Sequence, residues 1–140
     1  MKKTIFFALI IVSAACMAFA GQAKENAKYP VATLPITIQA HGNSYTITKY
    51  KVEQNGYTMI ELIGPGFKFD GDDVKIWCGF ISNGKEFQAV NVSCPVHTDK
   101  GKLILDKKIL IYSFNTSAKP EVLIVYPRDD ASKKVRINVK

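Results

Sequence analysis

The stretch WCGFISNGKEFQAVNVSC, residues 77 to 94, carries the thiols Cys78 and Cys94, and an imidazole follows at His97. A cysteine near a histidine is the raw material of nucleophilic catalysis, because the imidazole can take the thiol proton. Closeness in sequence does not supply the geometry, and the Gly-x-Ser-x-Gly turn of serine hydrolases is absent. The same two cysteines are candidates for a disulfide, which an oxidising compartment would favour. Distance opposes it. If Ser82-Asn83-Gly84 closes a three-residue hairpin loop, Cys78 lies across from Gln88, and Cys94 follows six residues later. That is about 20 Å of strand, against the roughly 7 Å between Cα atoms that a disulfide tolerates. Disulfide and separate buried thiols both stay open at this level.

Other chemistry is thinner. His41 and His97 fall in expected loops, and two loop histidines are one ligand short of a catalytic zinc site. Asp70, Asp72 and Asp73 could attract calcium, but the run lacks the closing Glu of an EF-hand and reads as a solvated Asp-Gly turn. Asp129-Asp130 has the same two readings, with Arg128 adjacent as countercharge. A glycosidase needs two facing carboxylates, which sequence spacing alone does not reveal. No Gly-rich phosphate loop precedes a helix, so no cofactor is called for. The aromatics Trp77 and Phe87 remain. Under the three-residue loop they share a face with Ala89, opposite Val74, Ile76 and Val90. In a sandwich that face meets solvent, making Trp77 and Phe87 the candidate binding patch unless a strand, a loop or the leader covers them.

The elements that must position these residues are strands. From Val31 onward, short runs rich in Val, Ile, Thr, Tyr and Phe alternate with turn signals. The expected strands are 31–39, 45–53, 57–63, 74–81, 86–92, 103–105, 109–114, 122–126 and 135–139. Turns fall at His41-Gly42-Asn43, Gln54-Asn55-Gly56, Gly64-Pro65-Gly66, Asp70-Gly71, Asn83-Gly84 and Lys100-Gly101. No segment keeps apolar residues at helical spacing over three turns. A three-residue loop at Gln54-Asn55-Gly56 places Tyr50, Val52, Ile60 and Leu62 on one face. The expectation is an all-β antiparallel sandwich of about seven to nine strands, immunoglobulin-like or fibronectin III-like by architectural analogy. The immunoglobulin cysteine–tryptophan spacing is missing, because Trp77 directly precedes Cys78.

The N-terminus bears on where this happens. Lys2 and Lys3, the apolar run 5–12 and Ala18-Phe19-Ala20 form a secretory signal pattern, with cleavage expected before Gly21. The expected organisation is a signal peptide over 1–20, a flexible leader over 21–30 and one domain over 31–140. Ser13-Ala14-Ala15-Cys16 makes Cys16 a candidate for lipidation, with Ser13 standing where an aliphatic residue is usual. No later segment is apolar and long enough to span a bilayer as a helix. The 140-residue chain has a net charge of +7. Without Lys2 and Lys3, 17 basic residues face 12 acidic ones, which fits attraction to anionic envelope polymers. Nucleic-acid binding would need a basic stripe with stacking aromatics, and export argues against it. The functional expectation is an exported, non-enzymatic binding or interaction module of the bacterial cell envelope, secreted or periplasmic, whose partner is a protein or an envelope polymer. The alternative is a small envelope hydrolase with an unrecognised carboxylate pair.

Overall fold

Short runs rich in β-branched and aromatic residues, many of them ended by Gly, Asn or Pro, set the chain into strands of three to seven residues. The computed structural model describes residues 28–65, 67, 74–106 and 108–139. Among them lie β1 (Ile36–Ala40), β2 (Asn43–Ile47), β3 (Lys49–Gln54), β4 (Thr58–Ile63), β5 (Ile76–Ser82) and β6 (Lys85–Gln88). Then come β7 (Asn91–Ser93), β8 (Val96–Asp99), β9 (Lys102–Leu105), β10 (Ile109–Phe114), β11 (Val122–Pro127) and β12 (Val135–Asn138). A single 3-10 turn, Ala131–Lys133, precedes β12.

The architecture is an antiparallel β-sandwich. One sheet has the order β3-β4-β10-β7 and the other β12-β11-β5-β6. These two sheets hold eight strands, and the hairpins β1-β2 and β8-β9 bring the strands among the described residues to twelve. That exceeds the seven to nine expected, because the runs 45–53 and 86–92 each form two strands and 96–99 forms one more. Inward residues from both sheets form one core: Ile60 and Leu62 on β4, Leu110, Tyr112 and Phe114 on β10, Ile76, Cys78 and Phe80 on β5, and Leu123 and Val125 on β11. Ile38, Ala40, Tyr45 and Ile47 join it from the β1-β2 hairpin. The sheets also touch through polar and aromatic contacts. The Tyr112 hydroxyl donates to the Ile76 carbonyl at 2.6 Å, and Phe80 meets Phe114 edge-on at 4.8 Å. Burial pushes the Tyr112 phenol well above its usual pKa, so it stays a neutral donor.

The β3-β4 hairpin faces as expected. Tyr50 pairs with Leu62 and Val52 with Ile60, but the three-residue loop is Asn55-Gly56-Tyr57, one residue later than the expected Gln54-Asn55-Gly56; the resulting two-residue change of register keeps the same faces. The β5-β6 hairpin corrects its expectation. Ser82 pairs with Lys85, so the loop is the two residues Asn83-Gly84, with φ of 49° and 73°. Both left-handed values match a type I′ turn. A shift of one residue in register exchanges the two faces of a strand. Phe87 therefore turns inward and stacks on Phe80 at 4.9 Å. The reason for the correction lies further along. The expected strand 86–92 is two strands in different sheets. The chain leaves β6 at Gln88, exposes Val90, and enters the other sheet as β7, where Val92 pairs with Tyr112. Val90 and Val92 thus place no constraint on the β5-β6 register. The run 45–53 likewise divides at Thr48, whose amide and hydroxyl both donate to the Ile63 carbonyl. Gly64 makes that junction feasible, since a Cβ there would sit 1.7 Å from the Thr46 carbonyl oxygen.

Candidate docking surface

The residues singled out from the sequence are dispersed. Trp77 pairs with Tyr126 on the outward face of its sheet, while Phe87, part-buried, packs against the core from the inward face, so the two rings do not share a face. Trp77 is half-buried. Its ring lies 5.7 Å from the Arg128 guanidinium and meets Tyr112 edge-on at 6.3 Å. Pairing between β5 and β6 begins only at Gly79, so no β6 residue stands beside Trp77.

Cys78 and Cys94 are free thiols in different surroundings. Cys78 is fully buried in the inner core, and burial pushes its thiol far above the ordinary range. Cys94 donates to the Asp106 carbonyl at 2.8 Å. That bond has a local cause. Asp106 N donates to the Pro95 carbonyl, but Pro95 has no N–H to return, so the Asp106 carbonyl takes the neighbouring thiol and, at 3.4 Å, the Ile109 amide instead. Burial and the Asp106 carboxylate raise the Cys94 pKa, the opposite of what a nucleophilic thiol needs. His97, expected in a loop, lies on β8 and pairs with Ile104. His41 stays in a turn, its Nε2 3.7 Å from Asp129 Oδ2. Asp130 caps the 3-10 turn through Ser132 and pairs with Lys133. Among the described residues, no three His, Cys, Asp or Glu side chains gather in a way that could hold a metal ion. Asp70, Asp72 and Asp73 lie outside the described residues, as does Cys16. An open groove of about 430 Å³ beside the Asn83 turn is lined by Lys119, Pro120 and one carboxylate, Glu121, which accepts the Asn83 amide at 2.9 Å.

The outward face of the β12-β11-β5-β6 sheet is unusual. Ile81, Val122, Ile124 and Tyr126 are buried there. Residues 29 to 32 contribute to their cover. Arg136 N donates to the Pro30 carbonyl and Ala32 N to the Arg136 carbonyl, so the chain follows β12. Tyr29 packs on the apolar cluster and its hydroxyl donates to Glu86 at 3.1 Å. Glu86 also pairs with Lys134 at 2.7 Å, and the Lys134 ammonium stands 4.9 Å from the Tyr126 ring centre. Burial works against both charges, but their mutual bond outweighs it, lowering the Glu86 pKa and raising that of Lys134.

The β8-β9 hairpin is the reverse case, an arm exposed along all eight of its residues. Val96 pairs with Leu105 and Thr98 with Leu103, so these four share one face. Leu103 is 75 % exposed, Val96 54 % and Leu105 45 %. Ile104 and His97 occupy the other face beside Asp99 and Lys102. The tip, Lys100-Gly101, has φ of 48° and 76°, another two-residue turn that matches the strand twist. The strand expected at 103–105 is present as β9, and Val96–Asp99, outside the expected strands, forms β8. The alternation of Val96 and Thr98 with His97 and Asp99, across a Lys-Gly turn from Leu103, was the available signal. No protein-family model matches this chain, and no curated protein or solved structure matches it. Chemistry at the arm must therefore be judged on its own residues. A two-stranded hairpin is marginal alone in water, and this one holds four large aliphatic side chains in solvent, Val96, Leu103, Ile104 and Leu105.

Proposed function

We propose that this protein is an exported, non-enzymatic interaction module of the bacterial cell envelope, and that the β8-β9 arm is its docking element. The exposed apolar face of Val96, Leu103 and Leu105 carries this reading. Large aliphatic side chains kept in solvent on a short hairpin cost solubility without adding to the core, which is the usual mark of a contact surface. Export is supported by the charged start, the apolar run 5–12 and the Ala18-Phe19-Ala20 site. The basic balance of the chain beyond residue 20 suits an anionic envelope setting.

Two measurements test it. The exported protein should have an intact mass that begins at Gly21; a retained N-terminus, or a lipid on Cys16, overturns the export assignment as stated. A photo-crosslinking residue at position 103 should form adducts when the protein is made in its own envelope, whereas one at Lys51 on β3 should not. Equal labelling from both positions, or none from 103, removes the arm as the docking element.

A further inference from the structure

We infer that the arm's partner is a second copy of this chain, joined edge to edge along β9. The inference rests on the arm being the docking element and names its occupant. The edges of the two main sheets carry charge or are short. β3 has Lys49, Lys51 and Glu53, β6 has Lys85 and Glu86, β12 has Arg136 with Val31 bridged beside it, and β7 spans three residues ahead of Pro95. These are the usual defences against unwanted strand pairing. β9 has one lysine at its start and then Leu103, Ile104 and Leu105. Among the described residues it pairs only with β8.

Ladder geometry selects the register. Asp99 and Lys102 close the two-residue turn, so Lys102 and Ile104 direct their backbone groups toward β8. Asp106 does the same, donating to Pro95. Leu103 and Leu105 therefore present their N–H and C=O groups on the free edge. An antiparallel partner strand bonds both residues fully when its own outward groups meet them. For a second β9 this happens with Leu103 opposite Leu105 of the second copy, twice, about a twofold axis at Ile104. The same register sets Lys102 opposite Asp106 of the second copy, again twice, on the Ile104 face. Backbone bonds, aliphatic neighbours and opposite charges thus agree in one self-complementary arrangement, as an isologous contact requires. The product is a four-stranded sheet, beyond the three strands or so at which a sheet gains independent stability.

The twofold gives a position-specific test. Ile104 would face its own copy as a non-hydrogen-bonded pair, with Cα atoms about 4.5 Å apart, within disulfide reach. In a Cys94→Ser background, which keeps a donor for the Asp106 carbonyl, Ile104→Cys should oxidise to a covalent dimer. Thr98→Cys, on β8 and away from the seam, should not. Sedimentation velocity of the mature protein should show a concentration-dependent dimer. Lys102→Asp should weaken it about tenfold, and adding Asp106→Lys should restore it to within about threefold. Circular dichroism should remain that of the parent, because the arm is outside the core. A monomer at every concentration overturns the second-copy inference, and so does equal cross-linking from positions 98 and 104. If position 103 still forms adducts with another envelope component in that case, the interaction reading survives. If it forms none, both fall.

Discussion

The central strands of the two sheets have the same length class and the same antiparallel neighbours, but their outward faces differ. β4 and β10 alternate, with Met59, Glu61, Ile63, Ile109, Ile111 and Ser113 only partly buried. β11 is buried at all six positions, and β5 at six of seven. The inward faces of both sheets answer to one shared core. The outward face of the second sheet answers to a separate small one, under the Tyr29 segment and the Glu86–Lys134 pair. A sheet that covers a core on one side alternates, whereas a sheet used on both sides reads as a continuous apolar run. VLIVYP in β11 is such a run, and Tyr29 packs on its outward face.

The strongest way to break this comparison is to truncate one outward residue in each sheet. Ile124→Ala on β11 should cost about 2–4 kcal/mol, as a buried aliphatic truncation does. Ile111→Ala on β10, outward and part-exposed, should cost about 1 kcal/mol, mostly strand propensity and partial burial. Urea denaturation of the two variants measures both. Equal costs would mean that the outward face of β11 is not a second core.

Tyr29 sharpens the same contrast at smaller scale. Tyr29→Ala removes the ring from the cluster and the hydroxyl from Glu86, and should cost about 1–2 kcal/mol. Tyr29→Phe keeps the ring and should cost about 0.5–1 kcal/mol. Deleting the ring without loss of stability would show that the segment merely lies on the sheet.

Much of the fold was legible because strand period and turn chemistry are local. Tyr50, Val52, Ile60 and Leu62 share a face as their spacing requires. The β5-β6 register was misjudged because Val90 and Val92 look like a continuation of Glu86–Gln88, and nothing local marks the passage to the other sheet. One residue of slip also turned Phe87 to the inward face, away from Trp77. The arm was half legible. Leu103–Leu105 reads as a strand, but its exposure depends on which elements pack nearby, and that is a tertiary property. The cysteines depended on a long-range distance that two residue types cannot supply.

The smallest expected effect is the pH response of the Glu86–Lys134 pair, and it belongs to the second sheet alone. Glu86 has its pKa lowered from 4.5 in the fold, so its contribution is present above 4.5 and is lost as pH falls through the lower folded value. Lys134 has its pKa raised from 10.5, so its contribution is complete below 10.5 and is lost as pH rises through the higher folded value. The pair therefore supports the cover throughout the neutral range and releases it only at the two extremes. Both groups keep some contact with water, so replacing Glu86 by Gln should cost about 1 kcal/mol or less at neutral pH. The diagnostic is the difference between variants. The stability gap between the parent and Glu86→Gln should be constant from pH 6 to pH 9 and should close as the pH drops below 4.5. Tyr29 proteolytic accessibility should rise over the same acid interval in the parent, and should already be raised at neutral pH in Glu86→Gln. A gap that persists unchanged into acid would mean that Glu86 acts by packing alone, and that the pair does not fasten the Tyr29 segment.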